Sequence, residues 1–165
     1  MTDSSATLAQ LWELIKDIRF GMFTTQSEDG LRSRPLTTQN DSAHRGRELY
    51  FFVDADSEVA RDAEARPAVN VAYADPGSDS WVSVQGHARR LQDPAMARTL
   101  WSPMAEAWFD GPEDPRLAVL AVEMQGAELW DVKDSKPTQL FKMARAAVTG
   151  GRPDLKTDHR EVRLD

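Results

Sequence analysis

The sequence contains no cysteine. Disulfides, thiolate nucleophiles, thiolate-held zinc and iron–sulfur clusters are therefore excluded. Histidine is scarce. His44, His87 and His159 stand far apart, with no carboxylate at metal-ligand spacing around them, so no metal site is expected. No apolar run approaches the roughly 20 residues that span a bilayer. The opening MTDSSATLAQ lacks a basic stretch followed by an apolar core and does not read as a secretory signal. Positive charge is in deficit, with 20 Lys and Arg against 27 Asp and Glu, a net charge of -7 and a pI of ≈ 5.0. A basic nucleic-acid-binding face is not expected from such a balance. Also missing are the G-x-S-x-G elbow, the G-x-x-x-x-G-K-[ST] phosphate loop and the G-x-G-x-x-G fingerprint. These absences leave a cytoplasmic protein, partnered by neither nucleic acid nor membrane, as the expectation.

What is present describes one domain. The chain has 165 residues, 41% apolar and 28% charged, enough to enclose a core. Leu8, Leu11, Trp12, Ile15 and Ile18 share a helical stripe, with Ser4, Ser5 and Thr7 as candidate N-caps. GMFTTQ and LRSRPLTTQ flank the turn SEDG, whose Gly30 suits a positive φ, so residues 20–39 read as a β-hairpin. ELYFFVDA, AVNVAYADP and WVSVQGHARRLQ read as further strands, with a short helix over DSEVARDAEARP. Asp93 and Pro94 start another helix through AMARTLW, and Ser102–Pro103 restarts it as MAEAWF. RLAVLAVEMQ and AELWDVK read as two strands around a bulge or tight turn at Gly126. QLFKMARAAVTGG reads as a helix closed by glycine. The organisation expected is a flexible N-terminus at 1–7, one domain at 8–151 and a charged, flexible or surface-lying tail at 152–165. About seven strands joined mostly by short turns argue for a mainly β (α+β) protein, an antiparallel barrel with four peripheral helices.

Three features carry candidate chemistry, each with two open readings. Arg32 and Arg34 share a face of one strand, and guanidinium groups bind phosphate through a forked donor geometry. The alternative is a solvated face whose arginines pair with Glu28, Asp29 or Glu48. Pro35 lacks a ladder donor, so that strand is an edge or is interrupted. Ser57 opens a helix and either contacts a bound phosphate or serves as a plain N-cap; Asp54, Asp56 and Glu58 beside it suit the helix dipole but repel an anion. Trp101 and Trp108, seven apart, either anchor a core or subunit interface or form a wall against a flat aromatic ligand.

Taken in order, RPLTTQ, LYFFVDADS, RPAVNVAYADP, WVSVQGHAR, LWSPMAEAWF and QLFKMARAAVTGG resemble the general stress protein 26 group of the pyridoxamine 5′-phosphate oxidase-like superfamily, over roughly residues 8–151. The resemblance implies a six-stranded antiparallel split β-barrel, a homodimer, and FMN in the clefts between subunits. It implies Arg34, Pro35, Leu36 and Thr37 along the flavin, with Arg34 near the phosphate. It places Ser57 at the phosphate, Trp81, Val82 and Gln85 on the strand passing the ring, and Trp101 and Trp108 reaching in from the other subunit. Val59 stands where many relatives carry a phosphate-holding lysine, which leaves Lys142 or Arg61 to compensate. The C-terminal tryptophan and arginine segment of true pyridoxamine phosphate oxidases is not visible in RPDLKTDHREVRLD, so vitamin B6 oxidation is not expected. Three functions follow: a flavin-binding stress protein, taking FMN and also FAD or riboflavin, without a defined turnover; an FMN-dependent oxidoreductase using NAD(P)H or a deazaflavin donor; or a dimeric interaction module with a degenerate cleft.

Overall fold

The structure, a computed structural model, describes residues 4–132, 136–155 and 157–164. Helix α1 spans Ser4–Ile15, so the expected boundary at residue 7 falls inside a helix; residues 1–3 lie outside the described residues. The hairpin forms as read. Strand β1 (Phe20–Ser27) pairs antiparallel with β2 (Gly30–Thr37), and Gly30 sits at φ 124° in the turn. Strand β3 (Glu48–Asp54), helix α2 (Glu58–Ala65), β4 (Ala68–Asp75) and β5 (Ser80–Leu91) follow.

Residues 94–109 depart from the expectation of two helices in phase. Helix α3 covers only Pro94–Thr99, capped by the Asp93 side chain, and the restart is a single 3-10 turn over Ala105–Ala107. Trp101 and Trp108 therefore do not share a helical face. Pro103 lacks the amide that a continuous helix would need.

Residues 117–132 correct a second expectation. They form one strand, β6 (Leu117–Val132), rather than two. Gly126 marks a bulge within it. The register against β5 shifts there, with Gln85 opposite Gly126 and Gly86 opposite Met124. A Cβ on Gly126 would lie 2.8 Å from the Val162 carbonyl oxygen, so a strand can cross there only at glycine. Helix α4 (Lys136–Thr149) ends at Gly150, φ 71°. The charged tail is not loose along its length: Thr157–Arg163 forms β7 against the second half of β6, and Leu164 is buried in the core. Alternation in EVRL, with Val162 and Leu164 turned inward, is what the tail's high charge hid.

The sheet runs β2-β1-β4-β5-β6-β3, all antiparallel, with β7 continuing the β3 side of β6. A bridge between Thr38 and Phe51 brings the ends of the path together, while the rest of β2 diverges from β3. This is a split barrel of six strands. Its interior is filled by Phe23, Phe51, Leu49, Val71, Val84, Leu120, Val122 and Met124, under α1 and α2. Phe23 meets Phe51 edge to face at 5.2 Å. A second cluster lies on the outer face of β3 and β6, where Tyr50, Leu117, Val119 and Ala121 are covered by Ala97 and Leu100 of the α3 region. Among the described residues no helix is long and apolar enough to cross a membrane.

Candidate functional site

Strand β3 fixes the site because its two faces bury different partners. Leu49, Phe51 and Val53 enter the barrel, while Tyr50 and Phe52 turn outward. Phe52 packs against Trp101, ring centroids 5.8 Å apart. Beside this pair the barrel splits, and a cleft of ≈ 760 Å³ opens. That volume lies within the roughly 300–1,000 Å³ of small-molecule sites. One wall is Pro35, Leu36, Phe52 and Val53; the other is Met104, Ala105, Trp108 and Phe109 of the irregular segment after α3. Phe20 stands at the cleft with 55% of its surface exposed, and Trp108 with 75%. Asp54, Ser57 and Arg116 line one polar end, and Thr37 and Gln39 the other. A second hollow of ≈ 410 Å³ shares Thr37, Gln39 and Met104 with the cleft.

Five of the ten residues expected at the site thus meet in one cleft: Pro35, Leu36, Thr37, Ser57 and Trp108. Arg34 lies beside it, on the face of β2 turned to α2. Its Nη1 donates to the Thr25 hydroxyl at 2.7 Å and its Nη2 lies 3.8 Å from the Asp62 carboxylate. That Nη2 is buried without a hydrogen-bond partner. Arg32 forms an ion pair with Glu58. The carboxylate partners of both arginines therefore come from α2, not from Glu28, Asp29 or Glu48. Trp101 braces the cleft from behind through Phe52. Trp81, Val82 and Gln85 lie away from this cleft on β5: Val82 points into the core, while Trp81 and Gln85 face outward. Gln85 borders a separate hollow with Thr24, Asn70 and His87.

Ser57 caps α2. Its hydroxyl donates to the Asp54 carbonyl at 2.6 Å and accepts from the Ala60 amide at 3.3 Å. Val59 is buried and lines the cleft where it meets α2.

Arg116 was missed in the sequence, although it is the only cation lining the cleft among the described residues. Its Nη2 and Nε donate to Asp114 at 2.8 and 3.3 Å, and Asp110 lies 3.6 Å away. The Arg116 guanidinium, with backbone amides of Asp110 and Arg116, holds the Asp114 carboxyl down at about 2. Only the fold sets Arg116 beside Ser57, through the Ala55 amide bonded to the Arg116 carbonyl at 2.6 Å.

Comparison with known proteins agrees with this architecture. The general stress protein 26 of Bacillus subtilis is 29% identical over 112 residues, covering 66% of this chain and 80% of the relative. Protein bli-3 of Neurospora crassa is 25% identical over 154 residues, covering 87% and 73%. The crystal structure of the general stress FMN/FAD binding protein of Xanthomonas citri superposes with a TM-score of 0.69 at 30% identity, over 79% of this chain and 92% of that one. The model of proteins described as pyridoxamine 5′-phosphate oxidase like matches residues 6–154, nearly the whole chain. With its split barrel and its cleft at the β2–β3 divergence, the chain belongs to the pyridoxamine 5′-phosphate oxidase-like family.

Proposed function

We propose that the cleft binds a flavin, with FMN the first form to test, and that the protein acts as a homodimeric flavin-binding general stress protein. The observation that carries this reading is the ≈ 760 Å³ cleft itself. Its walls are aromatic and apolar on both sides, and it lies against the strand edge that β2 leaves unpaired before the Thr38 bridge. A flat, polar-edged ring fits such a slot. Phe52 and Trp108 offer faces for stacking, and free backbone groups around Pro35–Thr37 suit the ring's hydrogen-bonding edge. Ser57 and Arg34 mark the end assigned to the ribityl phosphate. A bound flavin supplies reversible hydride and electron chemistry; the residues here would orient it and exclude water.

The dimer draws support from exposed apolar side chains. Leu140, Phe141, Met143 and Val148 of α4 are 70%, 68%, 46% and 88% exposed, and Met22 and Trp81 lie open on the sheet. Monomers rarely leave such surface uncovered. In a dimer, Trp81 and Gln85 of one subunit would complete the partner's cleft. Residues 8–151 serve as the flavin-binding domain in this reading.

FMN titration of flavin-free protein, read by quenching of flavin and tryptophan fluorescence, tests the proposal. Saturable binding at one flavin per subunit is expected, with light scattering reporting a dimer. No binding at high micromolar FMN would instead leave the interaction module with a degenerate cleft. The hollow sharing Thr37, Gln39 and Met104 favours a second reading, in which an electron donor sits beside the ring. Oxidation of NAD(P)H or a reduced deazaflavin well above the rate of free FMN would establish an FMN-dependent oxidoreductase.

A further inference from the structure

We propose that this cleft takes its flavin by the ring and gains little from the phosphate, so that riboflavin binds about as well as FMN. The inference rests on the flavin reading above and concerns the end of the cleft around Ser57.

Three guanidinium groups stand near that end, and each is already engaged. Arg32 is paired with Glu58. Arg34 gives Nη1 to Thr25 and to the Arg32 carbonyl at 3.3 Å, and Asp62 lies beside its Nη2. Arg116 is held by Asp114 and faced by Asp110. The Asp54 carboxylate lines the cleft itself. Five carboxylates thus surround three cations before any ligand arrives. A phosphate monoester adds about 1.5 to 2 further negative charges at neutral pH. To recruit one of these arginines it must share it with a carboxylate already in place, and the repulsion between the two anions offsets part of the new pair.

The Ser57 hydroxyl is committed as well. The one hydroxyl proton of Ser57 goes to the Asp54 carbonyl, and its oxygen caps the Ala60 amide. Two positions after Ser57 comes Val59, 6% exposed, whose side chain offers a methyl surface rather than a donor. The unpartnered Nη2 of Arg34 is fully buried beside Asp62, where a ligand would reach it only by moving that carboxylate. Arg61 has no ion pair among the described residues and stands on the exposed side of α2. The walls, by contrast, hold aromatic surface in reserve: Phe52, Trp108 and Phe109 all line the cleft.

The test is a pair of titrations on the same flavin-free protein, one with riboflavin and one with FMN, at low and high salt. Dissociation constants within about threefold of each other, and an FMN value that moves little with salt, are expected. FMN binding about tenfold or more tighter than riboflavin would overturn the inference while keeping the flavin site. Failure of both ligands would remove the flavin reading and this inference with it. Glu58→Gln, an exposed change that releases Arg32, is expected to shift the ratio about tenfold toward FMN. An unshifted ratio in that variant would overturn the account in which carboxylate pairing withholds the arginines from the phosphate.

Discussion

On the inner face of the β3–β6 pair, Phe51, Leu120 and Val122 are fully buried in a cluster reached from almost every element of the barrel. On the outer face, Phe52, Trp101 and Phe109 are half-buried, and the segment covering them has almost no regular structure. The same two strands supply both surfaces, by the alternation of side chains across a sheet. The inner face closes on itself. The outer face is closed only in part, and the part left open is the cleft. Stability and binding are thus carried by successive residues of one strand, which makes them separable by mutation.

The strongest attempt to break that separation is Phe51→Ala. It should cost about 3–5 kcal/mol in denaturant unfolding, the usual loss for a large aromatic in a sealed core. A loss no greater than that of Phe52→Ala would erase the distinction between the faces. Phe52→Ala itself should cost roughly half as much, because Phe52 is only half-buried, and should weaken flavin by about tenfold in the fluorescence titration. Trp108→Ala sharpens the contrast further. At 75% exposure it should change stability by less than about 0.5 kcal/mol, yet lower flavin affinity by about three- to tenfold. A Trp108 variant that binds flavin normally would remove the irregular segment from the site.

The smallest effect concerns Tyr50, the outward neighbour of Phe51. Its hydroxyl donates to Glu48 at 2.6 Å, and Arg89 reaches the same carboxylate. Burial, then the hydrogen bond to Glu48, pushes the Tyr50 hydroxyl up to about 12. For Glu48, burial works to raise the carboxyl, but the bonds from Tyr50 and Arg89 outweigh it and the net direction is down. A lowered carboxyl contributes stability above its unfolded value, near 4.3 for glutamate, and loses it as pH falls through the folded value. Tyr50→Phe should therefore cost about 1 kcal/mol at pH 7 and flatten the stability loss between about pH 5 and 3. An unchanged acid limb would show that this trio does not contribute.

Much of the barrel was legible because its strands alternate cleanly. GMFTTQ against LRSRPLTT, and the aromatics of ELYFFVD, carry period and turn chemistry together. The single β6 was harder to read, since Gly126 is equally a turn and a bulge until a neighbouring strand shows the register. Strand β7 was hidden by its charge: Asp158, Arg160 and Glu161 swamp the short apolar pattern of Val162 and Leu164. At the site, Pro35–Thr37, Ser57 and Trp108 were accessible because each lies on or beside a recognisable element. Arg116 was not, because only a long-range contact sets it there. The partners of Arg32 and Arg34 were misassigned for the same reason. Glu58 and Asp62 belong to a helix more than twenty positions on, brought over β1 and β2 by the fold.

The contact between Arg160 on β7 and Gln10 on α1, at 2.9 Å, spans 150 positions of sequence. During synthesis α1 leaves the ribosome long before the strand that covers part of it. Domains assemble as their segments emerge, at about 5–20 residues per second, so the helix waits roughly ten seconds or more for β7. Over that interval the Leu11, Trp12 and Ile15 stripe has only a partial barrel to rest on. A nascent chain stalled before β7 should therefore be captured by chaperones far more readily than the released protein, and the late strand acts as the clasp that ends its exposure.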